Sequence, residues 1–246
     1  MCIRDRGKEI GFIFQDPLTS LNPTLTIGYQ IAETIREHLG LSRKAAQDRV
    51  VELLAKVGIP RPKERLNDYP FHFSGGMRQR VMIAIALSCD PKLILADEPT
   101  TALDVTIQAQ ILELIQTLSD EFHSAVLMIT HDLGIAAGMC DRVNVMYAGR
   151  IVETGTVDEL FERPRMPYSW GLLDSLPRID DIRGARLRTI EGMPPLLINP
   201  AEACRFNPRC VYARDICRSS EPSLTPRGDA GHLARCWATE PEGWIA

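Results

Sequence analysis

One stretch constrains this chain more than any other: Leu93-Ile94-Leu95-Ala96, a short apolar run that ends in Asp97-Glu98-Pro99. An apolar run of this length, bounded by charge and proline, reads as a buried strand. Neighbouring side chains on a strand point to opposite faces, so Asp97 and Glu98 can do different jobs at its tip. The carboxyl edge of an α/β sheet is also where such folds bind ligands. Taken alone, the same residues describe equally well a strand that ends in a solvated acidic turn.

Similar runs recur along the chain. Ile10 to Phe14, Ala125 to Ile129 and Arg142 to Tyr147 read as further strands. Between them lie helical patterns: Ile27 to Leu39 after Thr26, Arg43 to Val57 after Ser42, Gly75 to Leu87, and Val105 to Leu118 after Asp104. Thr26, Ser42 and Asp104 are the expected N-caps. Strands separated by helices predict an α/β fold with a parallel sheet covered on both faces. Residues 23–88 are nearly all helical and predict a helical subdomain inserted between two strands.

Composition narrows the function. Hydrophobic residues make up 45% and charged residues 24% of the 246, as in a chain with a real core. The longest apolar run, Val81 to Leu87, is far too short to cross a bilayer. The first ten residues have no apolar h-region, so no signal peptide is expected. A net charge of −4 gives no basic excess for nucleic acid. Seven cysteines without an export signal suggest a reducing compartment.

Three more features could carry chemistry. Ser74-Gly75-Gly76 opens a helix; its free N–H groups and dipole suit a phosphate, although Ser-Gly-Gly is also an ordinary turn. His131 follows the Ala125 to Ile129 strand and shares a sheet edge with Asp97 and Glu98. Gln15 ends the Ile10 to Phe14 strand. Neither residue signals anything alone.

Together, and in this order, these motifs resemble the ATP-binding-cassette (ABC) ATPase family over about residues 6 to 155. Phe14-Gln15 is similar to the Q-loop, and Ser74-Gly75-Gly76-Met77-Arg78-Gln79 to the signature motif. Leu93 to Glu98 resembles the Walker B strand with its glutamate. Thr101-Ala102-Leu103-Asp104 resembles the D-loop, and His131 the switch histidine. The resemblance implies a P-loop NTPase-like core that binds ATP and Mg²⁺ between two head-to-tail chains. Glu98, His131 and Gln15 would be catalytic, with Asp97 and Gln15 on Mg²⁺. Ser74, Gly75, Gly76, Gln79 and Asp104 would be nucleotide-binding. Catalysis of phosphoryl transfer is mainly positioning and charge neutralisation, which fits such a set. DNA-maintenance members of the family need long insertions and basic faces, which the short 23–87 stretch and acidic balance argue against.

One part is missing. The only Gly-Lys pair is Gly7-Lys8, followed by Glu9, so no G-x-x-x-x-G-K-[ST] is present. The resemblance therefore implies an N-terminally truncated chain, in which residues 1–246 alone bind nucleotide poorly or not at all.

Two stretches point to one branch. Phe12-Ile13-Phe14-Gln15-Asp16-Pro17-Leu18-Thr19-Ser20-Leu21-Asn22-Pro23 resembles the D-type ATPase subunits of oligopeptide/dipeptide importers. So does the Pro- and Cys-rich tail, with Cys204, Cys210, Cys217 and Cys236 spaced C-x5-C-x6-C-x18-C. That spacing is not the paired C-x2-C of a zinc ribbon. Four thiolates in a tail with little core suit an iron–sulfur cluster; the resemblance supports a four-iron cluster, zinc is the alternative, and four reduced thiols the bland reading. His232 is a weaker candidate ligand.

The expected domains are a partial ATPase domain at 1–155, linker helices at 156–192 and a Cys-rich extension at 193–246. The implied partners are a second, F-type ATPase subunit, two membrane permease subunits and an extracytoplasmic substrate-binding protein. The chain would then lie on the cytoplasmic face of the cell membrane and energise peptide import. Nickel or other small-solute import and an inactive fragment are the alternatives. Two positions depart from the pattern: Tyr69-Pro70-Phe71-His72-Phe73 stands where His-Glu follows Tyr-Pro, and Pro167-Tyr168-Ser169-Trp170 where Pro-Tyr-Thr is usual.

Overall fold

The computed structural model describes residues 5–101, 103–176, 189–198, 202–227 and 231–239. Part of the expected 156–192 linker, Ala102 and residues 1–4 lie outside these. The chain packs into two units, Met1–His131 and Asp132–Ala246.

The first unit holds β1 (Ile10–Ile13), α1 (Pro17–Ser20), α2 (Ile27–Leu39), α3 (Arg43–Lys56), α4 (Pro62–Arg65), α5 (Gly75–Ala86), β2 (Leu93–Asp97), α6 (Val105–Phe122) and β3 (Ala125–Ile129). Its sheet is parallel in the order β1-β2-β3, with Ile10 opposite Leu93 and Leu93 opposite Ala125. Gly11 is required where β1 meets α5: a Cβ there would lie 2.3 Å from the Ala86 carbonyl oxygen.

The expected caps form. Thr26, Ser42, Ser74 and Asp104 each accept a backbone N–H from three residues on. Gly40, in the left-handed region at φ 64°, ends α2. The last turn of α6 extends past the predicted end at Leu118, through the polar Ser119-Asp120-Glu121. Phe122 packs on the core and Lys56 sits over its ring, so tertiary contact overrides the local signal.

Within residues 23–88 the helices α2, α3 and α5 share one core. Ile27, Ile31 and Ile35 of α2 interlock with Val50, Leu53 and Leu54 of α3, all buried. The α2 positions recur every four residues, which is the core stripe of an amphipathic helix.

The two faces of the sheet differ in burial. Ile13, Ile94 and Ala96 are buried in the cluster with Ile83, Ile111 and Ile115. The alternate residues Phe12, Leu127 and Ile129 are exposed, Ile129 by 51%. Within the first unit, α5 and α6 cover the face that carries Ile13, Ile94 and Ala96.

The second unit holds α7 (Leu133–Met139), β4 (Arg142–Tyr147), β5 (Arg150–Thr156), α8 (Val157–Glu162), α9 (Pro167–Asp174), α10 (Asp215–Ser219), β6 (Thr225–Pro226) and β7 (Leu233–Ala234). Here the parallel expectation for Arg142 to Tyr147 is overturned. That strand belongs to an antiparallel sheet in the order β4-β5-β7-β6. Ala148 and Gly149, with φ of 48° and 75°, make the two-residue turn that sends β4 back as β5.

The tail is woven into this sheet. Leu233 and Ala234 pair with Thr154 and Glu153 of β5, so packing divides the chain at 131/132, earlier than composition suggests. Glu153 is fully buried. Its carboxylate accepts the N–H groups of Arg165 and Met166 and pairs with His232 at 2.7 Å. His232 is therefore a buried hydrogen-bonding partner of Glu153 that links tail to strand.

Candidate nucleotide site

The site grows from the tip of β2. Its ladder with β3 continues one residue past the strand, where the Glu98 N–H donates to the Ile129 carbonyl at 2.9 Å. This sets Glu98 beside the residues that follow β3. The backbone then leaves regular structure: Glu98 has φ of 44°, a left-handed conformation that costs a residue with a side chain of the order of 1 kcal/mol or more. Thr101 N–H closes the turn on the Glu98 carbonyl at 3.2 Å.

Three side chains hold the Glu98 carboxylate. Gln15 Nε2 donates to Oε2 at 2.8 Å, Thr101 Oγ1 donates to the same oxygen at 2.8 Å, and His131 Nδ1 lies 3.1 Å from Oε1. Against an ionised carboxylate, Nδ1 must carry the proton. The Thr101 hydrogen bond, then that of His131, holds the Glu98 carboxyl below the usual carboxylate range. Gln15, Glu98 and His131, which are far apart in sequence, thus meet at one sheet edge. Sequence reasoning placed Thr101 only as the first residue of the D-loop-like stretch and gave its hydroxyl no contact with Glu98. The signal was its spacing, three residues after the glutamate in a turn opened by Pro99.

Asp97 ends β2, half-buried and next to this cluster in the chain. Asp104 caps α6 through the Ile107 N–H at 3.0 Å. Ser74 caps α5, and the structure separates the two glycines that follow. A Cβ at Gly75 would meet nothing within 4 Å, so that backbone is open to a ligand. A Cβ at Gly76 would lie 2.9 Å from Ile107 Cγ2, so Gly76 also serves the packing of α5 on α6. Gln79 is turned inward, only 1% exposed. Its Nε2 donates to the Pro99 carbonyl at 2.6 Å, which ties the signature-like helix to the Glu98 turn.

Comparison with known proteins fits this geometry. The profile of the ABC transporter family matches residues 1–101, and that of the oligopeptide/dipeptide transporter C-terminal region matches 152–217. The oligopeptide transport ATP-binding protein OppD of Bacillus subtilis is 54% identical over 96% of this chain and 66% of its own length. The corresponding AppD protein is 52% identical, over 97% and 72%. The chain belongs to this family. It spans about two thirds of the length of the curated relatives it matches. The fold is that of an ABC ATPase cassette. A post-hydrolysis dimer of the cassette MJ0796 bound to ADP and Pi matches with TM-score 0.54 and 30% identity, over 61% of this chain and 64% of that one. The cbiO1 protein from Clostridium perfringens gives 0.55 and 29%, over 63% and 60%.

The second cluster lies in the tail. The Cys204 N–H donates to the Cys217 carbonyl at 3.0 Å. Cys204, Cys210 and Cys236 belong to one apolar cluster with Tyr147, Met166 and Phe206. Burial pushes the Cys204 and Cys210 thiols up to about 11, and raises Cys236 as well. Backbone hydrogen bonds from Phe206, Tyr212 and Ala238, each two residues past a cysteine, offset part of this. Among the described residues, no group of three or more His, Cys, Asp or Glu stands in metal-holding geometry. Nor is any described helix long and apolar enough to cross a membrane.

Proposed function

We propose that this chain is the ATP-hydrolysing subunit of a peptide importer, working in a head-to-tail pair with a homologous F-type subunit. The observation that carries the reading is the Glu98 carboxylate, gripped by Gln15, Thr101 and His131 at the tip of the strand that also presents Asp97. A carboxylate kept ionised at a sheet edge is a competent general base. In this role Glu98 takes a proton from the attacking water, and His131 fixes the orientation of the carboxylate through Nδ1. In this reading Asp97 and Gln15 would hold Mg²⁺, which when bound neutralises phosphate charge. Ser74, Gly75 and Gly76, with Gly75 open to solvent, bind the phosphates presented by the partner chain. Asp104, the cap of α6, would face that partner, and Gln79 supports the site from within through the Pro99 carbonyl.

The names of the relatives favour peptides as cargo; import of nickel or another small solute by a similar ATPase is the alternative. Two permease subunits and an extracytoplasmic binding protein complete the machine, with this chain peripheral on the cytoplasmic face of the cell membrane. The test is ATP hydrolysis by the purified transporter in proteoliposomes. Addition of a loaded peptide-binding protein should stimulate it severalfold. Stimulation by a nickel-binding protein and not by a peptide-binding one would reassign the cargo.

In the tail, we read Cys204, Cys210, Cys217 and Cys236 as ligands of a four-iron cluster, with zinc as the alternative. What supports the reading is that Cys204, Cys210 and Cys236 share one apolar cluster and that N–H donors recur two residues past each; as arranged here the four thiols do not stand in metal-holding geometry, so binding would have to draw them together. Hydrogen bonds of that kind stabilise a cysteine sulfur in its anionic, ligating form. When bound, the cluster would supply a cross-link between parts of the tail that already pack on β4 and β5. Iron, sulfide and zinc analysis of anaerobically purified protein tests this assignment.

A further inference from the structure

We propose that Thr101 is a positioning residue for Glu98, holding the carboxylate toward the reacting water whichever partners Gln15 and His131 have. The inference rests on the ATPase reading of the strand tip. Gln15 and His131 reach the carboxylate from 83 and 33 residues away, on the ends of other strands. If they turn toward nucleotide, their hydrogen bonds to Glu98 are given up or shared. Thr101 differs because it sits on Glu98's own turn. Its N–H fixes the Glu98 carbonyl at 3.2 Å, and its hydroxyl fixes Oε2 at 2.8 Å. One residue therefore pins both ends of a glutamate whose backbone is in the left-handed region at φ 44°. Non-glycine residues persist in that region only where their surroundings over-determine them. The Thr101 clamp is local, moves with Glu98, and leaves Oε1 for His131.

Removing the hydroxyl without changing side-chain shape isolates this role. In the assembled transporter, Thr101→Val should lower kcat for ATP hydrolysis roughly 10-fold, the cost of one hydrogen bond to a charged group. KM for MgATP should stay within about twofold, because a group that orients the base acts on the transition state more than on binding. Thr101→Ser restores the hydroxyl and should recover most of kcat. An unchanged kcat in Thr101→Val, a parallel rise in KM, or failure of Thr101→Ser to rescue would each overturn the proposal. Crystal structures of wild type and Thr101→Val provide an arm independent of activity. The carboxylate should leave His131 in the variant, and a carboxylate that stays in place overturns the proposal even if wild type hydrolyses no ATP. Absence of hydrolysis in wild type counts against the ATPase reading instead.

Discussion

The two chemically loaded clusters of this molecule are built on opposite principles. At the tip of β2, an ionisable group sits at an accessible edge and is kept charged by hydrogen bonds from Gln15, Thr101 and His131. In the tail, the cysteines are enclosed and burial keeps Cys204 and Cys210 neutral. The first arrangement suits a group that must exchange a proton with water. The second suits groups that stay inert until a cation replaces their protons. An open, hydrogen-bonded carboxylate costs little desolvation, whereas the thiols of Cys204, Cys210 and Cys236, raised by burial, become ionic readily only beside a compensating positive charge.

The sharpest way to break this contrast is Glu98→Gln. The substitution keeps the size of the side chain and removes its basicity. Loss of a general base costs about 10²–10⁴-fold in rate. Hydrolysis by the assembled transporter should fall by that range. Retained turnover would mean that the strand tip is an acidic turn and not a base.

The tail's counterpart is His232→Phe. It removes one partner of a buried pair and leaves the Glu153 carboxylate, fully enclosed, with backbone N–H groups alone. Breaking such a pair costs about 3–5 kcal/mol. Thermal unfolding should show the loss as a drop of several degrees. Glu98→Gln, at an exposed edge, should leave the melting temperature nearly unchanged. Equal destabilisation by the two substitutions would erase the distinction.

A subtler probe uses pH. In metal-free protein, alkylation of Cys204 and Cys210 should be slow at pH 9 and accelerate only toward pH 11. Because these folded-state values lie above the ordinary thiol value of 9.0, the folded chain keeps protons that the unfolded chain releases. Stability contributed by the neutral thiols is therefore full below pH 9 and declines as pH rises from 9 to 11. Mass spectrometry of pulse-labelled protein reads each cysteine separately. Labelling at pH 8 as fast as in a denatured control would show that the thiols are not enclosed.

Much of the first unit was legible because its signals are local. The N-caps Thr26, Ser42 and Asp104 satisfy helix-end N–H groups within three residues, and the apolar runs of β1, β2 and β3 need no partner to be recognised. The meeting of Gln15, Glu98 and His131 followed from strand ends sharing one edge. What escaped is what only packing decides. β5 contains a glutamate, Glu153, at a core position, where its polarity masks the strand; burial is made possible by hydrogen bonds from His232 and the backbone of Arg165 and Met166. Gln79 lay in a motif associated with nucleotide, yet its amide points inward to Pro99. Thr101 was visible as a letter, but its hydroxyl gains a role only once Glu98 turns into the left-handed region.

The smallest expected effect concerns the root of the same strand that carries Glu98 at its tip. Lys92 lies 2.8 Å from Glu9 across the start of the sheet, a salt bridge whose lysine side chain is 83% exposed. A hydrogen bond from Lys92, then its charge, lowers the Glu9 carboxyl value, and Glu9 raises that of Lys92 by the same route. The sign is plain: any stabilisation is present when both are charged and is lost in acid as Glu9 protonates. Water and salt screen such a pair, and ordering two flexible side chains offsets its attraction. Lys92→Gln should therefore give no resolvable change in melting temperature in moderate salt and at most a small decrease in low salt. A drop comparable to that of His232→Phe would show that charge at the sheet's root is as costly to disturb as charge in the tail's interior, and that enclosure does not separate the two kinds of site.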